Sequence, residues 1–276
     1  MRNKVVAVLV LAMVLVSLVA CGGKETPAPD ESEKPSEEAS EEIELTVFAA
    51  ASMTETLQEI EALYKEETPN VKLSFNFDSS GTLQTQIEEG APCDVFISAG
   101  EKQMNALEEG EYLEGETRLD LLLNQVTLCV PEGNSKNITG FEDLAQKLNG
   151  EEMLFAMGNS DVPVGQYTQK ILAYFSLDES ALAAAGKISY GSNVKEVTTW
   201  ISEGSVDAGV VYCTDAFSAD LEIVDAATEE MCGKVLYPAA VIKGTEQEEA
   251  AKAYLEFLKT DAALTIFEKV GFTKAF

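Results

Sequence analysis

The chain has 276 residues, 46% of them hydrophobic, and its 48 acidic residues against 19 basic ones give a formal charge of −29. This length and hydrophobicity suffice for one large domain or two smaller ones with a sizeable core, while the charge argues against nucleic acid and anionic lipid as direct partners. The sequence contains no histidine, which excludes histidine-based nucleophile activation, acid–base catalysis and metal ligation.

The first twenty residues have the organisation of a secretory signal. Arg2 and Lys4 precede an almost wholly apolar run at 5–19, and Cys21 follows after one small residue. This pattern is typical of a signal peptide, and the run is short for a transmembrane helix, which needs about 20 residues. A cysteine directly after the cut resembles the lipobox of bacterial lipoproteins, whose cysteine thiol carries a diacylglycerol. We therefore expect a signal peptide at 1–20 and lipidation of Cys21; an ordinary signal and an uncleaved anchor are the alternatives.

An acidic segment with interspersed prolines follows Cys21. Between Glu25 and Glu44 there are nine acidic residues and a single lysine, Lys34. Such a segment cannot bury a core, and its charges repel one another. The sequence therefore predicts an extended tether at 21–42, with the folded part starting near Ile43.

From Ile43 onward, strand-like and helix-like patterns alternate. Apolar residues at every second position of 71–77 are typical of a strand, and apolar residues at 57, 60 and 63 have helical spacing. Strands that alternate with helices favour an α/β architecture with parallel sheets. The predicted elements are strands at 45–50, 71–77, 95–98, 125–130, 154–157, 188–190, 208–212 and 239–242, and helices at 54–64, 82–89, 101–107, 141–148, 164–175, 194–201, 214–218, 247–258 and 262–269.

Three predicted strand-to-helix junctions carry small polar groups, and open α/β sheets bind ligands at such junctions. Ser52 has capping-box spacing to Glu55, so a helix cap is the simpler explanation for it alone. Ser79 and Ser80 precede a glycine, which is compatible with an anion nest or with a turn and a serine cap. Tyr212 ends an apolar strand, where its hydroxyl either contacts a ligand or faces water. Each motif alone is a weak indication of a site.

The cysteines beyond Cys21 do not have the spacing of a zinc site or of a small disulfide scaffold, because none of them forms a CxxC pair. Most of them lie in apolar segments, which predicts free, buried thiols. A bridge between Cys213 and Cys232 is also compatible with the sequence. The four residues are Cys93, Cys129, Cys213 and Cys232.

Taken together, the motifs resemble those of the molybdate-binding receptors of ABC importers. The resemblance runs in order and at matching spacing from about 45 to 272, which covers nearly the whole predicted folded part. Its main segments are AAAS at 49–52, SSGTL at 79–83, GAPCDVFISA at 90–99, VPVGQY at 162–167, GVVY at 209–212 and YPAAV at 237–241.

This resemblance implies an α/β, type II periplasmic-binding-protein fold. In that fold two α/β lobes are joined by two crossing strands, and the ligand lies in the cleft between the lobes. One lobe would comprise 43–124 and 238–276, and the other would comprise 125–237.

The resemblance also implies which residues hold the oxyanion. The side-chain donors fall on Ser52, Ser80 and Tyr212, and the backbone N–H donors fall on Val164 and Val194. Departures from the commonest family pattern remove none of these donors. They are Gly81 where a third serine is frequent, Val164 where alanine is usual, and Cys93 and Cys213 where small residues are usual.

The expected function is that of an extracytoplasmic receptor, lipid-anchored to the cell membrane and monomeric. It would bind molybdate, and tungstate as an ion of similar size, and deliver it to an ABC permease and its ATPase. Molybdenum would enter only as molybdate, and neither a cofactor nor enzymatic activity is expected. A receptor for another tetrahedral oxyanion such as sulfate is the alternative among binding proteins. An enzyme with Cys213 as nucleophile and a structural surface protein are the alternatives from other classes.

Overall fold

The computed structural model describes residues 42–276, so the predicted signal peptide, Cys21 and the predicted tether up to residue 41 lie outside the described residues. The described part contains strands, α-helices and two short 3-10 turns, Ala51–Met53 and Gly115–Thr117. The strands are β1 (Ile43–Ala50), β2 (Val71–Asp78), β3 (Val95–Ile97), β4 (Leu119–Asn124), β5 (Val126–Val130), β6 (Phe155–Gly158), β7 (Ile188–Gly191), β8 (Ala208–Tyr212), β9 (Glu222–Ala226), β10 (Val235–Val241) and β11 (Thr273–Lys274). The helices are α1 (Thr54–Glu67), α2 (Ser80–Glu88), α3 (Glu101–Glu109), α4 (Phe141–Gly150), α5 (Pro163–Tyr174), α6 (Glu179–Ala184), α7 (Val194–Ser202), α8 (Cys213–Ser218), α9 (Glu229–Cys232), α10 (Glu248–Phe257) and α11 (Asp261–Lys269).

One sheet has six strands in the order β11-β4-β10-β3-β1-β2. Strands β1, β2 and β3 run parallel, whereas β10 is antiparallel to both β3 and β4. Side chains of a strand alternate between the faces of its sheet. Accordingly Val47 of β1 packs into the main core, and its neighbour Phe48 packs into a separate, smaller cluster. Both faces of this sheet are therefore covered, and the ends of its strands are the places where a ligand can reach it.

The second sheet has five strands in the order β7-β6-β8-β5-β9. Strand β6 is parallel to β7 and β8, and β5 is antiparallel to β8 and β9. Every residue of β8 is buried, which explains the unbroken apolar run before Tyr212. Tyr212 therefore lies at the carboxyl end of a central, buried strand.

The chain passes between the two sheets twice. Strand β4 ends at Asn124 in the first sheet and β5 begins at Val126 in the second; later the chain returns from β9 to β10. Strands that enter a sheet in this way need no helical crossover, and they pair antiparallel to their neighbours. The expectation of parallel sheets is therefore wrong, since both sheets are mixed. Strand β10 starts at Val235 and pairs with β4, three residues before the predicted lobe boundary at 238.

Each predicted strand and helix has a counterpart in the structure, most of them with shifted ends. Five further elements were not predicted because their sequence patterns are weak. Strand β9 lies at a sheet edge with its first two side chains exposed, so it lacks a clear apolar alternation. The other four elements are β4, β11, α6 and α9. Among residues 42–276 no helix combines the length and the apolar composition that crossing a membrane requires.

Candidate functional site

A small cavity lies between the carboxyl ends of strands from both sheets. Its lining follows β1, β2 and β3 in one sheet and β6, β7 and β8 in the other. The cavity volume is about 10 Å³, which is near the minimum for one water molecule and far below the roughly 300–1,000 Å³ of sites for drug-sized ligands, so the walls of the cavity lie almost against each other in this structure. Larger open grooves occur elsewhere on the described surface, but none of them contains a predicted site residue. The cavity is lined by Ala50, Ala51, Ser52, Asp78, Ser79, Ser80, Ala99, Val162, Pro163, Val164, Val194 and Tyr212.

Ser52 lies in the 3-10 turn that follows β1, and its side chain is buried. Its Oγ is 2.9 Å from the hydroxyl of Tyr237. Neither the 3-10 turn nor α1 has a side-chain cap at its start, and the residue that precedes α1 is Met53. Helix capping, the simpler explanation for Ser52, is therefore wrong.

Ser79 and Ser80 have separate roles at the start of α2. Ser79 is the N-cap, and its Oγ accepts the N–H of Thr82 at 3.1 Å. Ser80 is the first helical residue and is fully buried, and its Oγ accepts the N–H of Ala99 at 2.9 Å. The hydroxyl hydrogen of Ser80 remains available for a further acceptor. The cap therefore explains Ser79 but not Ser80.

Tyr212 lies at the end of β8 with its side chain buried. Its hydroxyl donates to the carbonyl of Ala99 at 3.3 Å, a contact from the five-stranded sheet to the loop that follows β3. Burial, reinforced by the neighbouring Tyr237 and Tyr167, raises the pKa of Tyr212 well above its ordinary value. The phenol therefore stays protonated and serves as a hydrogen-bond donor at all physiological pH values.

The two predicted backbone donors lie at helix starts. Val194 is the first residue of α7, and Val164 follows Pro163, the first residue of α5. The first N–H groups of a helix have no intrahelical partner and carry the positive end of the helix dipole. Both helix starts line the cavity, so each places such N–H groups at its wall.

Gly81 explains how closely the two sides of the cavity approach each other. A Cβ at this position would lie 2.1 Å from the carbonyl oxygen of Asp161, which belongs to the loop before α5. The serine that is frequent here in the resembling family would therefore collide with that backbone. The glycine permits the loop before α5 to lie directly against the start of α2.

The sequence indicates no role for Tyr237 and Asn124, which form hydrogen bonds behind the cavity wall. The hydroxyl of Tyr237 contacts Ser52 and accepts from Asn124 Nδ2 at 3.1 Å. The rings of Tyr237 and Tyr212 meet edge to face with centroids 5.6 Å apart. Tyr237 lies in the YPAAV segment of the family resemblance, which gave it no role. Its contacts with Ser52 and Tyr212 depend on the pairing of β10 with β4.

Residues 45–273 match the family model of the bacterial extracellular solute-binding proteins. The chain belongs to this family. YvgL of Bacillus subtilis, provisionally named as a substrate-binding lipoprotein of an ABC transporter, is 35% identical over 95% of this chain and 96% of its own length. The molybdate-binding protein ModA of Haemophilus influenzae is 31% identical over 83% of this solute-binding protein and 89% of its own length.

Two solved structures resemble this solute-binding protein. A substrate-binding domain from Clostridium difficile, provisionally assigned to a molybdenum ABC transporter, is 36% identical, covers 85% of this chain and all of that one, and gives a TM-score of 0.63. The periplasmic molybdate-binding protein of Azotobacter vinelandii is 22% identical over 83% of this chain and 98% of its own, with a TM-score of 0.72, and shows the fold alone. The predicted periplasmic-binding fold, with its two α/β sheets, is confirmed.

The cysteines of this solute-binding protein are free thiols within the described residues, so the alternative of a Cys213–Cys232 bridge is wrong. Cys93, Cys129 and Cys232 are buried as expected, whereas Cys213 is partly exposed. Burial raises the pKa of Cys213, and its thiol donates to Asn124 Oδ1 at 3.1 Å. Among residues 42–276 no cluster of three acidic or cysteine side chains could hold a metal ion.

Proposed function

We propose that this protein is an extracytoplasmic receptor that captures molybdate, and tungstate as well, and delivers it to an ABC permease and its ATPase. The shared cavity carries the proposal: Ser52 and Ser80 from one sheet line it together with Val164, Val194 and Tyr212 from the other. The names of the Haemophilus influenzae relative and the Clostridium difficile structure support molybdate and molybdenum transport.

The polar groups at the cavity suit a tetrahedral dianion without a proton. Ser80 has an uncommitted hydroxyl hydrogen to donate, Tyr212 can turn its hydroxyl from the carbonyl of Ala99 to the anion, and the starts of α5 and α7 add N–H groups with favourable dipoles. Each hydrogen bond to a charged group contributes roughly 1.5–3 kcal/mol. Several converging donors therefore suffice for tight binding of molybdate without an Arg or Lys in the cage.

Sulfate is the alternative ligand, because it has the same charge and shape with shorter bonds. A rigid cage that fits the larger anion leaves some donors out of reach of sulfate. Phosphate carries a proton near neutral pH and needs an acceptor. Asp78 lines the cavity; its Oδ1 accepts the N–H of Ser79 at 2.7 Å, whereas its Oδ2 could accept the proton of phosphate, so phosphate is a further alternative that titration has to test.

The proposed receptor acts as a monomer held at the membrane through a lipid on Cys21 and an acidic tether. The motif around Cys21 and the lipoprotein name of YvgL support this anchor. A catalytic role is not proposed. The thiol of Cys213 has a raised pKa and is a poor nucleophile at neutral pH.

The deciding experiment is calorimetric titration of the purified protein with molybdate, tungstate, sulfate and phosphate. We expect saturable one-to-one binding of molybdate and tungstate, and much weaker binding of the other two. Thermal unfolding provides a second measurement, since ligand at 100 times its Kd stabilises the native state by about 2.7 kcal/mol. Equal affinities for sulfate and molybdate would indicate a general oxyanion receptor, and the absence of any saturable oxyanion would overturn the proposal.

A further inference from the structure

Lys195, the second residue of α7, contacts acidic side chains on both sides of the cavity. Its Nζ lies 2.7 Å from Glu55 Oε2 and 3.2 Å from Asp215 Oδ1. Glu55 is in the first turn of α1, which packs on the six-stranded sheet, whereas α7 and α8, which carry Lys195 and Asp215, pack on the five-stranded sheet. The ammonium group therefore joins the two halves that enclose the cavity.

The position of this bridge in the sequence links it to the cavity walls. Lys195 directly follows Val194, and Glu55 comes three residues after Ser52; Val194 and Ser52 both line the cavity. Helix α7 also packs against the 3-10 turn Ala51–Met53 that carries Ser52. A separation of these two walls of the cavity therefore pulls the backbones of Lys195 and Glu55 apart.

The two carboxylates have different environments. The side chain of Asp215 is 0% exposed, that of Lys195 is 29% exposed and that of Glu55 is 53% exposed. Burial lowers the pKa of Lys195, but Asp215 and Glu55 outweigh this effect and raise it above its ordinary value, so the ammonium stays charged. Asp215 lies in the same half as Lys195 and holds the ammonium in place, while Glu55 is the partner across the cleft.

We propose that Lys195 is a positioning residue whose bridge from Asp215 to Glu55 holds the start of α7 and the Ser52 turn in the closed arrangement around the bound anion. Its effect on ligand release rests on the proposed function. When the two halves separate, Lys195 keeps Asp215 and loses Glu55. The bridge therefore stabilises the closed form relative to the open form, and it slows dissociation of the anion.

The test uses Glu55→Gln rather than a change of Lys195, because removal of the lysine would leave Asp215 buried and unpaired and would destabilise the fold itself. Glu59→Gln is the matched control. Glu59 lies one turn further along α1 and pairs with Lys269 at 3.2 Å, within the six-stranded half. Both changes remove one carboxylate charge from the same helix.

Dissociation of molybdate from each variant is measured by filter retention of the radioactive complex. We expect Glu55→Gln to raise the dissociation rate constant about two- to fivefold, the range of a partly exposed ion pair. The difference from the unaltered protein should shrink in 1 M salt, which screens exposed charges; loss of packing alone would not show this dependence. A dissociation rate unchanged by Glu55→Gln, or raised equally by Glu59→Gln, would overturn the bridge.

Hydrogen exchange without any oxyanion separates this inference from the proposed function. We expect Glu55→Gln to accelerate amide exchange in peptides covering 50–57 and 191–198, and Glu59→Gln to leave peptide 191–198 unchanged. If the unaltered protein binds no molybdate, the proposed function fails and exchange still decides the bridge. Exchange in 191–198 that Glu55→Gln does not change would overturn it whatever the ligand.

Discussion

Replacing Asp215 by asparagine is expected to change the stability of the protein more favourably at neutral pH than at pH 4. The side chain of Asp215 is completely buried, and this burial raises its pKa from 3.8 to about 6 although Lys195 opposes the shift. Asparagine is close in shape to the protonated acid and carries no charge at any pH. The variant therefore isolates the free energy of ionising this one carboxyl in the folded protein.

The sign follows from the order of the two pKa values. The folded state holds the proton of Asp215 more tightly than the unfolded state, so the folded state binds more protons between pH 3.8 and about 6. Stability of the unaltered protein falls as pH rises through this window and levels off above it. A rise from 3.8 to about 6 corresponds to a loss of about 3 kcal/mol. The asparagine variant does not suffer this loss.

The assay is urea unfolding of both proteins at several pH values from 4 to 8, in the absence of oxyanions. We expect the free energy of unfolding of the variant minus that of the unaltered protein to increase by about 2 kcal/mol between pH 4 and pH 7, because part of the total loss has already occurred at pH 4. The pH slope is diagnostic, because any constant penalty from removing the partner of Lys195 cancels from it.

Asp143→Asn provides a control of opposite sign. The side-chain hydrogen bond from Lys147 is the main cause that lowers the pKa of Asp143. The stability that this carboxylate contributes is therefore present above its unfolded pKa and lost as pH falls through its folded pKa, so this control requires unfolding measurements that extend below pH 4. A flat difference for Asp215→Asn, or one that decreases with pH, would refute the assignment of a buried, reluctantly ionised carboxyl.

Two further predictions concern the anion donors and the anchor. Tyr212→Phe should weaken molybdate binding about ten- to a hundredfold in calorimetry, and it should lower the melting temperature of the ligand-free protein slightly, because the carbonyl of Ala99 loses its donor. Ser80→Ala should lower both the affinity and the melting temperature, because the N–H of Ala99 loses its acceptor. Affinities within twofold of the unaltered protein for both variants would contradict the site. Cys21→Ser should abolish lipidation and send the protein into the medium or leave it unprocessed, as membrane fractionation will show; a cleaved variant still retained on the membrane would argue against the anchor.

Local patterns predicted those parts of the fold in which each element carries its own signal. The alternation at 71–77 and the buried run at 208–212 are both strands. Strand β4 was not predicted, because its sequence, LDLLLN, has neither strict alternation nor a helical period. The mixed parallel and antiparallel pairing in both sheets could not be predicted from local sequence, since it depends on where the chain crosses between the sheets and not on any one segment.

The site required more than local patterns. Ser52, Ser80 and Tyr212 each had an ordinary explanation, and only the resemblance to a family brought them together in one prediction. The structure gathers all three at one cavity and removes the capping explanation for Ser52. Tyr237 could not be assigned from the sequence because its role comes from contacts with Ser52 and Asn124, which are distant in the chain.

The opposition between the charge of the protein and that of its proposed ligand is resolved locally. A formal charge of −29 repels any dianion at long range. Lys195, which follows the lining residue Val194, does not offset this charge, because Glu55 and Asp215 both contact it and leave the three groups with no net positive charge when ionised. Attraction must then come from neutral donors at short range, namely hydroxyls and helix starts. Such donors stabilise the anion only when they converge on it. This is why closure of the two halves, and a bridge that holds them closed, governs how long the anion stays bound.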